Sequence, residues 1–306
     1  MSEEEDEESP EKKKKKRRLC NTSSSASSSW EGLNPEILSL IFVRISADEL
    51  CRSVPFVCRS WREAVAGPYC WADVDVVSWC RRCGNSDVIN TAVRKLVRRS
   101  RGTLRSLSAY KLGDPAFSFV ANFGKCLKIL KIPVSNVTDK MVAKHAGSLS
   151  TITDLDISNC SEITYKGIET LGQHCKSLFL LKRNMPFLDS ESAHHGKAVE
   201  DEAMAVANTM PRLVHLELAY GRFSDRGLDA ILTKCKDLQH LDIQGCTNLN
   251  FDGDLELRCE RINVFTGPYD YDDDHVSISE DSGGAGSDEE GTDSEIYSDS
   301  SSDESD

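Results

Sequence analysis

No run of apolar residues in this 306-residue chain approaches the ~18 that a membrane-crossing helix requires. The first residues lack the apolar core of a secretion signal, so the expectation is a protein of the nucleus, the cytoplasm or both. A Gly-rich phosphate loop, a His-Glu zinc motif and a nucleophile elbow are all missing. The expectation is therefore no enzyme, no catalytic residue and no cofactor. Lys and Arg are absent from residues 270–306, where Asp and Glu number fifteen, more than the whole chain's net charge of -13. Residues 1–29 balance seven acids against seven bases, which leaves +2 on residues 30–269, an ordinary globular value. Both ends, 1–29 and 269–306, hold too little apolar surface to offset chain entropy and read as disordered tails.

Twelve cysteines in a reducing compartment read as free thiols. Cys80-x-x-Cys83 has no second pair at metal-ligand spacing, and structural zinc needs four ligands. Two ordinary thiols are the favoured reading, a zinc site the weaker alternative, and no metal is assigned. His194 and His195 lie in a polar stretch and read as solvent-facing.

Caps and spacing predict three helices between Leu33 and Trp71. Asn34 before Pro35 is a good N-cap ahead of a first-turn proline, and Ile37, Leu38, Ile41, Phe42 and Ile45 follow at helical spacing. Ser46 with Glu49 reads as a capping box for a second helix carrying Leu50 and Val54 inward as far as Pro55. A third helix has Val57, Trp61, Ala64 and Val65 as its apolar face and stops at Gly67-Pro68.

These residues resemble the F-box, on Leu33, Glu36, Ile37, Leu38, Ile41, Phe42, Leu50, Val57, Cys58, Arg59, Trp61, Arg62, Pro68 and Trp71. One departure is Pro35, which sits one place later than the family pattern, with Asn34 where the proline is expected. The resemblance implies docking on a Skp-type adaptor, and through it a cullin, within an SCF ubiquitin ligase. The implied adaptor contacts are Leu33, Pro35, Glu36, Ile37, Leu38, Ile41, Phe42, Leu50, Val57, Cys58 and Trp61.

Downstream, the register Leu-x-x-Leu-x-aliphatic recurs from Leu127, Ile152, Leu213 and Leu238, with looser copies from Leu104 and Leu178. All steps but one fall in the ~20–29 residue leucine-rich-repeat period. The copies LDISNCSEIT and LDIQGCTNLN, with Cys160 and Cys246, resemble the cysteine-containing subfamily of plant F-box/leucine-rich-repeat proteins. Cys160, Cys246, Cys175 and Cys235 then read as packing residues. Helices are expected over 138–146, 164–174 and 224–235, and a closing strand near 261–265. The expected architecture is an α/β solenoid behind a three-helix module. Its parts are an F-box at 30–75, a connector and helical cap at 76–103, built on a helix over 86–99, and about six repeats at 104–268.

Side chains alternate along a strand, so the residues between buried aliphatics line the concave face. These are Ser108, Lys131, Asp156, Lys182, Glu217 and Asp242, flanked by His215, His240 and Gln244. Their mixed signs do not suit nucleic acid. The long step after Leu178 projects residues 184–200 as a loop, with Arg183 in an aliphatic position beside it. Strip and loop together are the candidate surface for a target protein. The leading reading is thus the substrate-recognition subunit of an SCF-type ligase. A scaffold outside the ligase is one alternative. A nuclear nucleic-acid-associated protein, resting on Lys12–Arg18, an import signal or a merely solvated run, and on the basic helix near Arg98, is another.

Overall fold

The computed structural model describes residues 30, 32–186 and 199–270. Helices α1 (Pro35–Phe42), α2 (Ala47–Arg52) and α3 (Arg59–Ala66) form the N-terminal module. Asn34 Oδ1 accepts the Glu36 N–H at 2.9 Å, so the displaced proline keeps its cap and occupies the first helical position. The capping box at Ser46 does not form. Ser46 Oγ donates to Asp48 Oδ1 and Glu49 Oε2 accepts from Ser53 Oγ, because Asp48 lies nearer the hydroxyl. Val57 precedes α3 and is exposed rather than on its buried face, since the chain between Val54 and Phe56 takes a 3₁₀ turn at Pro55.

The module closes on Trp71, fully buried, whose indole N–H donates to the Val65 carbonyl at 2.8 Å. Trp71 also starts the solenoid. Strand β1 (Asp73–Asp75) follows it directly and pairs in parallel with β2 (Ser106–Ser108). Residues 73–75, at the end of the stretch read as the F-box, are thus also the first strand of the sheet. The helix Ser86–Arg99 (α5), preceded by α4 (Val77–Cys83), is the return helix of a first repeat and not a cap on the array. Trp71-x-x-Val74-x-Val76 is the repeat register with tryptophan in the leading leucine position, which is why leucine spacing alone did not reveal it. On α5 Val88 points outward, while Ile89, Val93, Leu96 and Val97 are buried.

Strands β3 (Ile129–Lys131), β4 (Asp154–Asp156), β5 (Leu180–Lys182), β6 (His215–Glu217), β7 (His240–Asp242) and β8 (Val264–Thr266) complete an eight-stranded parallel sheet in sequence order. About six repeats were expected with a closing strand near 261–265, which is β8; the structure adds β1 in front. Return helices are α6 (Asp114–Phe123), α7 (Asp139–His145), α8 (Tyr165–His174), α9 (Asp201–Thr209), α10 (Asp225–Lys234) and α11 (Leu255–Glu260). Each strand has three residues, and the middle ones stack in register as Val74, Leu107, Leu130, Leu155, Leu181, Leu216, Leu241 and Phe265. One unit exposes half of that row, so only stacking buries it.

Two devices tie neighbouring repeats together. The aspartate opening α6, α7 and α10 accepts hydrogen bonds from the next repeat: Asp114 from Thr138, Asp139 from Thr164, Asp225 from the Asn250 and Asp252 amides. In the long step Glu200 takes over this part for Ser224. Thiols supply the second tie: Cys160 donates to the Ile132 carbonyl, Cys246 to Leu218, Cys175 to Leu149 and Cys235 to Met210. Burial pushes Cys160, Cys175 and Cys235 up to about 11 and Cys246 to about 12, so all four stay protonated packing groups. Cys80 is buried and Cys83 half-buried, both free. Module and array share one continuous apolar core from Leu38 to Cys259. Among the described residues no helix is long and apolar enough to cross a membrane.

Candidate docking and recognition surfaces

Helix α1 is apolar nearly all round, which in a globular protein belongs to a helix buried on every side. Here only one side is covered. Leu38 and Phe42 face the module's core at 0% and 1% exposure, whereas Ile37, Leu40 and Ile41 stand 47%, 67% and 37% exposed. Phe56, Val57 and Tyr69 are exposed on the same module. The expected contact residues therefore divide. Pro35, Glu36, Ile37, Ile41 and Val57 are open to a partner; Leu33, Cys58 and Trp61 are half-buried. Leu38, Phe42 and Leu50 are buried core residues: Leu38 and Phe42 lie on the face of α1 that meets α3, and Leu50 is the buried side of α2. Leu40, Phe56 and Tyr69 were not anticipated, though Leu40 lies three residues after Ile37 and was legible as part of that face. Trp61 packs edge-on against Phe42 at 5.0 Å, and its indole N–H has no acceptor.

On the solenoid, Ser108, Lys131, Asp156, Lys182, Glu217 and Asp242 form one row, the last residues of β2 to β7. Asp75 extends this row through β1, and a second row on the same face runs Asp73, Ser106, Ile129, Asp154, Leu180, His215 and His240. With β1 included, six carboxylates face two lysines. The strip is acidic rather than evenly mixed.

Glu217 is the most connected group on the strip. Its Oε1 accepts from Lys182 Nζ at 2.6 Å and lies 2.8 Å from His215 Nε2, and its Oε2 accepts from Asn184 Nδ2 at 3.0 Å. Burial alone would push this carboxyl up, but those hydrogen bonds outweigh it and hold the pKa below its usual value. His215 and His240 stack with ring centroids 3.8 Å apart and planes 8° from parallel. Burial, then the neighbouring His215, lowers His240 below its ordinary value. Burial raises Asp242, with Glu217's charge adding to it. Gln244 follows β7 and donates to the Asp270 carbonyl.

Arg183 occupies the aliphatic position of its repeat and is 2% exposed. Its guanidinium donates to the carbonyls of Cys160 and Ile163 and pairs with Glu202 at 2.9 Å. It is a structural brace across two repeats, not part of the open strip. The loop at 184–200 is described only at its ends, where the Met185 amide donates to Ala219 and that of Val199 to Arg222; residues 187–198, with His194 and His195, lie outside the described residues. The basic run Lys12–Arg18 lies outside them too.

A three-helix module continuous with a leucine-rich-repeat solenoid defines the class of protein. The profile of the F-box-like family matches residues 30–76 and that of a leucine rich repeat residues 148–172. The chain is 42% identical to F-box protein FBW2 of Arabidopsis thaliana, over 73% of this chain and 70% of that one. F-box protein SKIP19 and putative F-box/LRR-repeat protein 22 of the same plant are 33% and 31% identical, with 78% and 87% of their lengths covered. The chain belongs to the F-box/leucine-rich-repeat proteins, a family of generally non-catalytic adaptors.

Proposed function

We propose that this protein is the substrate-recognition subunit of an SCF-type ubiquitin ligase. The module binds a Skp-type adaptor, and through it a cullin. The concave strip, with the loop at 184–200, holds a target protein destined for ubiquitination and degradation. What carries the reading is the uncovered side of α1: Ile37, Leu40 and Ile41 on a helix rooted by Leu38 and Phe42 in a core continuous with the repeats. Covering such side chains is helix-in-groove recognition, at about 1.5–3 kcal/mol per fully buried residue. The shared core makes the arm stiff, so a target on the strip is held at a set distance from a transferase supplied by other subunits. The strip's acidity favours a basic stretch on the target and disfavours phosphate backbones. The basic run Lys12–Arg18 fits nuclear import, to be read from the distribution of a fluorescent fusion with and without it.

Co-purification of the adaptor with Ile37→Asp, Ile41→Asp tests the docking half. Adaptor binding should be lost while the circular dichroism of the chain is unchanged; retained binding would overturn it. Deleting residues 188–199 should abolish target capture and leave adaptor binding intact.

A further inference from the structure

We propose that His215, Glu217 and His240 form a binding site for one divalent cation of the zinc class, opening onto the concave face. Strand alternation puts His215 and Glu217 two residues apart on one face of β6, and the parallel register sets His240 of β7 directly beside His215. The potential ligand atoms of the three side chains all lie within 4.8 Å of one another. Their side chains are shielded without being sealed, His215 at 25% and Glu217 at 12% exposure.

Two imidazoles and one carboxylate are the donor set of three-ligand zinc sites, which leave a fourth position open; calcium and magnesium prefer oxygen donors throughout. An outer shell is in place as well. Asn184 Nδ2 holds Glu217 Oε2 at 3.0 Å, and its Oδ1 accepts the Ala219 amide at 2.9 Å, so the carboxylate's orientation is set from behind. Tetrahedral ligation at ~2.0–2.1 Å places ligand atoms roughly 3.3 Å apart. The His215–Glu217 pair at 2.8 Å therefore opens slightly, and the two near-parallel rings tilt toward a common point. The cation takes the place of the proton shared by His215 Nε2 and Glu217 Oε1. Lys182 Nζ, on that same oxygen at 2.6 Å, is its competitor and must swing away, as a long side chain at 32% exposure can do.

Competition from Lys182 gives a test that a merely structural cluster would not pass. The full chain, stripped with a chelator and carrying His194→Gln and His195→Gln to remove the other adjacent histidines, is titrated metal-free with cobalt(II), and zinc is then added to displace it. One equivalent should bind, with cobalt d–d absorption and no intense thiolate-to-cobalt charge-transfer band. His240→Gln and Glu217→Gln should each weaken binding at least ~10-fold, the scale on which even outer-shell changes act. Lys182→Met should tighten it, an outcome that misfolding does not mimic. A charge-transfer band would place the metal on cysteine. Unchanged affinity in His240→Gln, or weaker binding in Lys182→Met, would equally overturn the proposal. The measurement needs no adaptor or target, so it stands apart from the docking reading.

Discussion

On α1 the apolar side chains split between core and solvent, Leu38 buried and Ile37 and Leu40 exposed on either side of it. On the repeat strands the split is mostly between residue types, with aliphatics inside and an open face that is polar apart from Ile129 and Leu180. The module thus keeps an apolar surface that stays open among the described residues. The array has spent its central aliphatic row on its own neighbours, and its concave strip shows mainly charge, hydrogen-bonding groups and imidazole. Docking through the first should be hydrophobic and little affected by salt; recognition through the second should be electrostatic and salt-sensitive.

Paired substitutions sharpen this contrast. Leu181→Ala in the central row should destabilise the fold by about 2–5 kcal/mol in denaturant unfolding. Ile37→Ala should leave stability within about 0.5 kcal/mol. It should instead weaken adaptor binding roughly 10- to 100-fold in calorimetry, the equivalent of one buried aliphatic. If Ile37→Ala destabilised the chain as Leu181→Ala does, the module would have no spare face. Arg183→Met follows in size. It removes a charged donor from the Cys160 and Ile163 carbonyls and should cost at least ~2 kcal/mol although the new side chain is apolar.

Acid should act on the array first. Burial holds the His145 and His240 pKa values below the ordinary 6.5, so both are neutral in the fold. The stability they contribute is complete above 6.5 and is lost as pH falls below it toward their lower folded values. Thermal melts should weaken from pH 7 to pH 5, and His145→Gln with His240→Gln should flatten that slope. The smallest effect is chemical. In a Cys20→Ser background a disulfide reagent at neutral pH should label exposed Cys51 and Cys126 quickly and leave Cys160, Cys175, Cys235 and Cys246 untouched until unfolding.

Much of this was legible along the chain. The helix over 86–99, the cap at Asn34, the helices near 138–146, 164–174 and 224–235, and the packing cysteines all follow from local spacing. Leu38, Phe42 and Leu50 were grouped with the docking residues and prove to be buried, because a motif marks which residues matter without saying whether they face inward or outward. β1 was missed because Trp71 stands where leucine was sought. Arg183 was noticed as irregular, but its carbonyl partners lie a repeat away.

What the amino-acid sequence determined by itself is the repeating unit and the docking module, since caps, helical period and strand alternation act over a few residues and are written in order. Tertiary structure alone decided which side of α1 stays uncovered, that Asp73–Asp75 joins the sheet, and that His240 lands on His215 beside Glu217. Those outcomes depend on the lateral register between strands, which is set by how each turn and helix returns the chain, and no local spacing records it.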